Sequence, residues 1–275
     1  MVVTLLHNTP LWVCAQAIRT AWASHGKSDT FIQDTCPGCG GDKLHLAGNN
    51  NANKYCCDDC NICFIHAKKV KVAGEADKNL IYRVGNKFKH GSTLEHLVYT
   101  FDITGFSRAV LQELSRHRLT SPTVKSTRYT LAELKEEEPF GGLSITDDFY
   151  AKVKEGGLES TETYIRASKY IKFTGVYEID WTLIQQLENL RYLVALKKGK
   201  DNDRVKYSLP ECYLTQEVLT INARSLQNLL SLRSDKSALW EIRELAYKLY
   251  QAIPDDHKYL FIDFMKGEKY GKEDM

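Results

Sequence analysis

The chain has 275 residues, 43% hydrophobic and 26% charged, enough for one large core or for a core with a small second module, and too apolar for dominant disorder. With 37 Lys and Arg against 35 Asp and Glu, the net charge of +2 excludes a generally cationic nucleic-acid coat or membrane-surface protein, so anion binding must come from local clustering. The opening MVVTLLHNTPLWVCAQAIRT has neither the cationic start of a signal peptide nor an apolar run long enough to cross a bilayer, which predicts a cytoplasmic protein.

VVTLLHNTP predicts a short strand ending at a Pro turn, and LWVCAQAIRTAWAS an amphipathic helix with Leu11, Ala15, Ile18 and Trp22 at helical spacing. From about Thr30 to Glu75 the pattern breaks: Cys, Gly, Asn and Asp dominate, and GNNNAN is a turn or hairpin tip. Residues 31–74 therefore read as an insertion in a domain formed by residues 1–30 and 75–275. Helical pattern resumes at DKNLIYRVGNKFKH with Asp77 as N-cap, and EHLVYTFDITG predicts a strand with Leu97, Tyr99 and Phe101 on one side.

GFSRAVLQELSRHR predicts a helix with Phe106, Val110 and Leu114 as its apolar stripe and Arg116-His117-Arg118 as its last turn. Pro122 ends that helix by removing an amide donor. Thr130 and Glu133 form a capping box for a second helix, LAELKEEE. PFGGLSITDDF reads as a loop, FYAKVKEGG through LENLRYLVALKKG as a mixed helical hairpin, and LTQEVLTINARSLQNLLSLRSDKSALWEIRELAYKLYQAI as helix with a break at Ser234-Asp235. Without internal repeats or alternating βαβ units, the fold class is α+β, with mixed helices around a central antiparallel sheet and a small cysteine-rich, zinc-ribbon-like insertion.

Six of the eight cysteines crowd between Cys36 and Cys63, which in a reducing compartment reads as metal ligation. Cys36-Pro-Gly-Cys39-Gly and Tyr55-Cys56-Cys57-Asp-Asp-Cys60-Asn-Ile-Cys63-Phe64 resemble the two knuckles of a zinc ribbon. The preferred ligands are Cys36, Cys39, Cys57 and Cys60, because Tyr55 and Phe64 then flank the second knuckle; Cys63 is an alternative to Cys57, and Cys56 is a spectator. Reduced thiols without metal and iron-sulfur ligation are the rival readings.

Arg116, His117 and Arg118 at a helix C-terminus would by themselves only offset the helix dipole. The hydroxyl-rich loop that follows, with Ser126, Arg128 and Tyr129, adds cations and donors in a short span suited to phosphates and carboxylates. RHRLTSPTVKSTRY resembles the signature of the flavin-dependent thymidylate synthases (ThyX family), in which RHR is followed by seven residues and Ser. HGSTLEHLVYTFDITGFSRAVLQELSRHR upstream is similar to the family's His-x-Ser/Thr-x-x-Glu-His block, and LPECYLTQEVLTINARSLQNLLSLRSDKSALWEIRELA downstream to its Asn-x-Arg-Ser-Leu region.

The resemblance implies an FAD enzyme that methylates dUMP to dTMP, with methylenetetrahydrofolate as carbon donor and NADPH as reductant, in a homotetramer whose sites are built between subunits. It implies FAD contacts from Arg116, His117, Arg118, Asn222, Arg224 and Asn228, and from Ser92 of a neighbouring subunit. It further implies dUMP contacts from Glu113, Arg116, Lys125, Ser126, Thr127, Arg128, Lys206 and Arg233, with Arg233 activating the pyrimidine. The chain departs from the family pattern in having Thr123-Val124 for an Asn-Glu pair, Lys206 for an arginine, Glu113 for a common Gln and Ser237 for a His. Lys206 keeps the charge but loses the bidentate fork.

dUMP, folate and reduced flavin all carry negative charge, so a chain of near-neutral total charge needs a locally cationic site, which arginines supply without titrating. If one helix ran from Asn222 to Arg233, it would touch both flavin and nucleotide. Cys212 reads as a small apolar residue rather than a nucleophile on uracil, and Ser126, with no His or Lys base placed beside it, as a hydrogen-bonding group. The alternative function is a zinc-ribbon nucleic-acid-binding protein without enzymatic activity; the near-zero net charge and lack of interleaved aromatics argue against it.

Overall fold

The structure is a computed structural model and describes residues 1–47, 54–140, 162–197 and 200–266. β1 (Val2–Asn8) leads through Pro10, whose φ of -62° suits a helix entry, into α1 (Leu11–Ala21), which buries Leu11, Cys14, Ala15 and Ile18. Trp22, predicted on that stripe, lies past the last turn and is exposed. β2 (Phe31–Thr35), β3 (Leu44–Leu46), β4 (Tyr55–Cys57), β5 (Cys63–Phe64) and β6 (Lys68–Val72) follow. β2 pairs antiparallel with β6, and β3, β4 and β5 make a separate three-stranded sheet.

α2 (Glu75–Tyr82) starts after Gly74, not at the predicted cap Asp77. The Asp29 carboxylate caps it instead, accepting from Ala76 N at 2.7 Å and Asp77 N at 2.9 Å. Asp77, the third residue of the helix, is fully buried and accepts from Arg19 Nε at 2.6 Å, from Ser28 and from Thr30, bonds that hold its carboxyl below the usual range despite burial. Gly74 is required here: a Cβ would come within 2.7 Å of the Asp29 backbone oxygen.

β7 (Val98–Ser107) buries alternate residues, including Tyr99, Phe101 and Ile103. α3 (Arg108–Leu114) is shorter than predicted: Phe106 belongs to the strand, and Arg116, His117 and Arg118 lie in the turn beyond the helix. Pro122 does not end a helix but sits in β8 (Thr120–Val124), an edge strand, where a missing amide is tolerated. α4 (Thr127–Lys135) begins at Ser126, so Thr130 is interior to it and the predicted capping box is not its start.

α5 (Glu162–Ala167), α6 (Tyr177–Lys197) and the single-turn α7 (Asn202–Val205) come next. Most of the PFGGLSITDDF loop and all of FYAKVKEGG lie outside the described residues. β9 (Leu214–Asn222) overturns the prediction of helix there: Thr215, Glu217, Leu219 and Ile221 are buried alternately, the two-residue period of a strand. α8 (Ala223–Arg233) and α9 (Trp240–Ala252) are separated at the predicted break.

The four-stranded sheet has the order β1-β7-β9-β8, with β8 antiparallel to β9 from Thr120↔Ile221 to Val124↔Glu217. The architecture is α+β, mixed helices with antiparallel sheets. One compact unit joins Met1–His7, Tyr99–Ile221 and Ser225–Met275; the other joins Asn8–Val98 with Asn222–Arg224. In the first, Leu131 and Leu134 of α4, Phe140 beyond it, and Leu187 and Val194 of α6 form an apolar cluster. In the second, α1 packs on α2 and β6, and the Lys71 ammonium lies 4.2 Å from the centre of the Trp12 ring. Among the described residues no helix is long and apolar enough to cross a membrane.

Candidate active site and cysteine cluster

α3 is fixed at its start by a buried acid. Glu241 on α9 accepts from Ser107 N at 2.8 Å and Ser107 Oγ at 2.5 Å, while Ser107 Oγ accepts from Val110 N as the helix cap. Burial pushes the Glu241 carboxyl up despite those bonds. At the far end the chain turns out of the helix, with His117 N donating to Leu114 O at 2.9 Å.

That turn meets the last residue of α8. Arg233 donates from Nε to His117 Nε2 at 3.0 Å, from one terminal nitrogen to Glu113 Oε2 at 2.5 Å, and from the other to the Glu113 carbonyl at 3.2 Å. His117 Nε2 is thus an acceptor, which assigns the ring's proton to Nδ1. Burial first and the adjacent Arg233 charge second hold His117 below its ordinary value of 6.5, against an opposing effect of Glu113. Arg116 remains 74% exposed, 3.8 Å from Glu113 Oε1, and Arg118 is exposed.

Beyond β8, Lys125 N donates to Gln216 O at 2.8 Å and its ammonium pairs with Glu133 at 3.2 Å. Ser126 caps α4 positionally, and Thr127 and Arg128 form its first turn. Arg128 lies over the Tyr129 ring at 5.0 Å and donates to its hydroxyl at 3.0 Å. Asn202 Nδ2 donates to the Arg128 carbonyl at 3.0 Å, tying α7 and the following turn, which carries exposed Lys206, to α4.

In the second unit, Ser92 is exposed in the 3₁₀ turn Gly91–His96, and Arg224 pairs with Glu95 of that turn at 2.8 Å. A Cβ on Gly91 would stand 3.0 Å from the Arg224 side chain, so the glycine permits this approach. Asn222 is the last residue of β9, so Asn222 and Arg233 do not share a helix, whereas exposed Arg224 and Asn228 lie one turn apart on α8.

Three acids, all inside the family-like blocks, have surroundings that the sequence assigns to none of them: Glu95, Glu241 and Glu217. Glu217 on β9 is 2% exposed, its Oε2 has no hydrogen-bond partner among the described residues, and burial raises its carboxyl to about 7. Glutamate at a buried position of a two-residue alternation was the available signal.

The Cys36, Cys39, Cys57 and Cys60 sulfurs lie within 4.8 Å of one another. The Cys36–Cys60 and Cys39–Cys57 separations are 3.6 and 3.5 Å, close to the ~3.8 Å edge of a tetrahedron with metal–sulfur bonds of about 2.3 Å. Backbone amides Gly38 N and Gly41 N donate to Cys36 and Cys39 sulfur, the bonding expected of thiolates. The set can hold a metal ion. Cys63 is not a fourth ligand here and Cys56 is not a bystander, because the two are joined to each other in a disulfide.

The family model described as thymidylate synthase complementing protein matches residues 4–256. Flavin-dependent thymidylate synthase from Campylobacter jejuni (strain RM1221) is 47% identical over 261 residues, covering 95% of this chain and 96% of the relative. The enzyme from Helicobacter pylori (strain ATCC 700392 / 26695) is 41% identical over 266 residues, covering 97% and 100%. The crystal structure of ThyX from Helicobacter pylori with FAD and dUMP superposes with a TM-score of 0.71 at 40% identity, again covering 97% of this chain and 100% of that one. The chain belongs to the flavin-dependent thymidylate synthases.

Proposed function

We propose that FAD-dependent conversion of dUMP to dTMP in this enzyme uses methylenetetrahydrofolate as carbon donor and NADPH as reductant, in a cytoplasmic homotetramer with sites shared between subunits. The observation that carries the residue assignment is the convergence of Arg233, His117 and Glu113, with Arg116 and Arg118 exposed beside them. Their charge and donors fit the diphosphate of FAD and the phosphate of dUMP.

Arg116, His117, Arg118, Asn222, Arg224, Asn228 and a neighbouring subunit's counterpart of Ser92 hold FAD, which when bound and reduced supplies the hydride. Glu113, Arg116, Lys125, Ser126, Thr127, Arg128 and Lys206 hold dUMP. Arg233 stabilises negative charge developing on the uracil ring, so that C5 becomes nucleophilic with no covalent cysteine adduct. Burial pushes the Cys212 thiol up to about 12, which suits packing and not attack.

Residues 31–74 serve as an insert of a catalytic domain built from residues 1–30 and 75–275, and Cys36, Cys39, Cys57 and Cys60 hold a structural zinc ion. The deciding experiment is a dTMP assay on purified protein with FAD, NADPH, methylenetetrahydrofolate and dUMP. Turnover that requires all four supports the assignment. A colourless preparation that takes up no added FAD and forms no dTMP overturns it.

A further inference from the structure

The six clustered cysteines divide into a set of four and a pair. β4 explains the division, because neighbouring strand residues point to opposite faces: Cys57, 1% exposed, turns into the four-sulfur cluster and Cys56 turns away from it. Away from the cluster Cys56 meets Cys63, its partner in the antiparallel register of β4 and β5, with Cα atoms 4.1 Å apart, slightly closer than the usual range of about 4.4 to 6.8 Å for a bridged pair. The short link between them is closed by Cys57 N to Ile62 O at 3.0 Å and Asn61 N to Cys57 O at 2.9 Å, and it carries Cys60. Cys63 is exposed.

We propose that Cys56 and Cys63 are a reversible dithiol/disulfide site, separate from the four-thiol cluster, that clasps the hairpin bearing the ligands Cys57 and Cys60. The holding role rests on the metal reading of that cluster; the exchange chemistry does not. The oxidant is a low-molecular-weight disulfide. The exposed Cys63 thiolate attacks one of its sulfurs and expels a small thiolate; Cys56 then attacks the Cys63 sulfur of the mixed disulfide and expels the second. The chain loses two electrons and two protons, the small disulfide gains both, and two small thiols leave. A low-molecular-weight thiol runs the sequence backwards. Closing the hairpin removes the open excursions through which Cys57 and Cys60 would separate from the other two ligands.

The test uses the full-length, zinc-loaded chain equilibrated with reduced and oxidised glutathione at graded ratios, then alkylated, digested with trypsin and read on the Tyr55–Lys68 peptide. The expected result is a Cys56–Cys63 bond that forms and reopens with the ratio while the metal content per chain stays constant. In the oxidised state, release of zinc to a chromogenic chelator should be on the order of tenfold slower than from the Cys56→Ser/Cys63→Ser double variant. Three results overturn the proposal: a pair that alkylates at every ratio, oxidation that joins either cysteine to Cys57 or Cys60 with loss of metal, or equal release rates. A chain that binds no zinc yet forms the Cys56–Cys63 bond reversibly sinks the metal reading and the holding role with it, and leaves the exchange site standing.

Discussion

Arg233 Nε and His117 Nε2 are 3.0 Å apart, joining the end of α8 to the turn after α3. The contact fixes a guanidinium whose remaining nitrogens reach Glu113, so the arginine is already oriented before any substrate arrives. Replacing Arg233 with Ala removes a charge assigned to the transition state. We expect kcat for dTMP formation to fall by on the order of 100- to 1000-fold with FAD absorbance retained, as checked by steady-state assay and visible spectrum. Retained turnover takes Arg233 out of the mechanism.

Glu113 gives a prediction with the opposite sign. Its carboxylate partly neutralises Arg233 and lies 3.8 Å from the Arg116 guanidinium, both assigned to an anionic nucleotide. Glu113→Gln keeps an acceptor and removes the negative charge, so dUMP should bind more tightly, by about 1 kcal/mol or roughly fivefold in Kd. Calorimetric titration with dUMP at low and moderate salt checks this, and weaker binding in the variant contradicts it.

His117 makes the site sensitive to acid. Its folded-state value lies below the ordinary 6.5, so as pH drops past 6.5 the unfolded chain takes up a proton that the native ring refuses. The stabilisation from the neutral ring is therefore fully present above 6.5 and is lost as pH falls towards the lowered folded value. A protonated Nε2 would also turn a donor towards Arg233. Thermal midpoints measured from pH 7.5 to 5 should fall more steeply in the wild type than in His117→Gln, whose amide oxygen can still accept from Arg233. Parallel curves would show that His117 does not titrate this way.

The parts of this fold that were legible in the sequence are those with local causes. The alternation of Tyr99 and Phe101 and the stripe of Leu11, Ala15 and Ile18 each report a buried face directly, and the paired CxxC spacing brought Cys36, Cys39, Cys57 and Cys60 together on paper as they are in space. The errors have distant causes. α2 is capped by Asp29, far from it in sequence, and local pattern alone points to Asp77. LTQEVLTIN has helix-forming residues, but its place between β7 and β8 imposes strand. The Arg224–Glu95 pair joins residues far apart in the chain, and no spacing rule reaches across that interval.

Metal removal should act locally. The segment of β2 to β6 has short strands and many exposed residues, including Phe31, Ile32, Leu46, Ile62 and Ile65, so four metal–sulfur bonds would supply much of its folding energy; structural zinc contributes about 10 to 16 kcal/mol in zinc-finger peptides. Cys39→Ser, or chelation, should expose Lys43, Lys54, Lys68 and Lys69 to trypsin at least about tenfold faster while the far-ultraviolet signal of the helices is largely kept. Unchanged cleavage would mean that the cluster does not depend on metal.

The buried Glu217 should make the protein less stable at neutral than at mildly acidic pH. Burial, with no partner for Oε2 among the described residues, keeps its carboxyl protonated in the native state up to about 7, whereas the unfolded chain releases that proton near 4.5. Its raised value therefore contributes stability that is whole below 4.5 and drains away as pH rises to about 7, after which the loss is constant. Glu217→Gln has no proton to lose and nearly the same shape. Its advantage over the wild type in urea unfolding should grow from near zero at pH 4.5 to about 3 kcal/mol at pH 8. A difference that does not change with pH would place the charge of Glu217 in contact with a partner or with water.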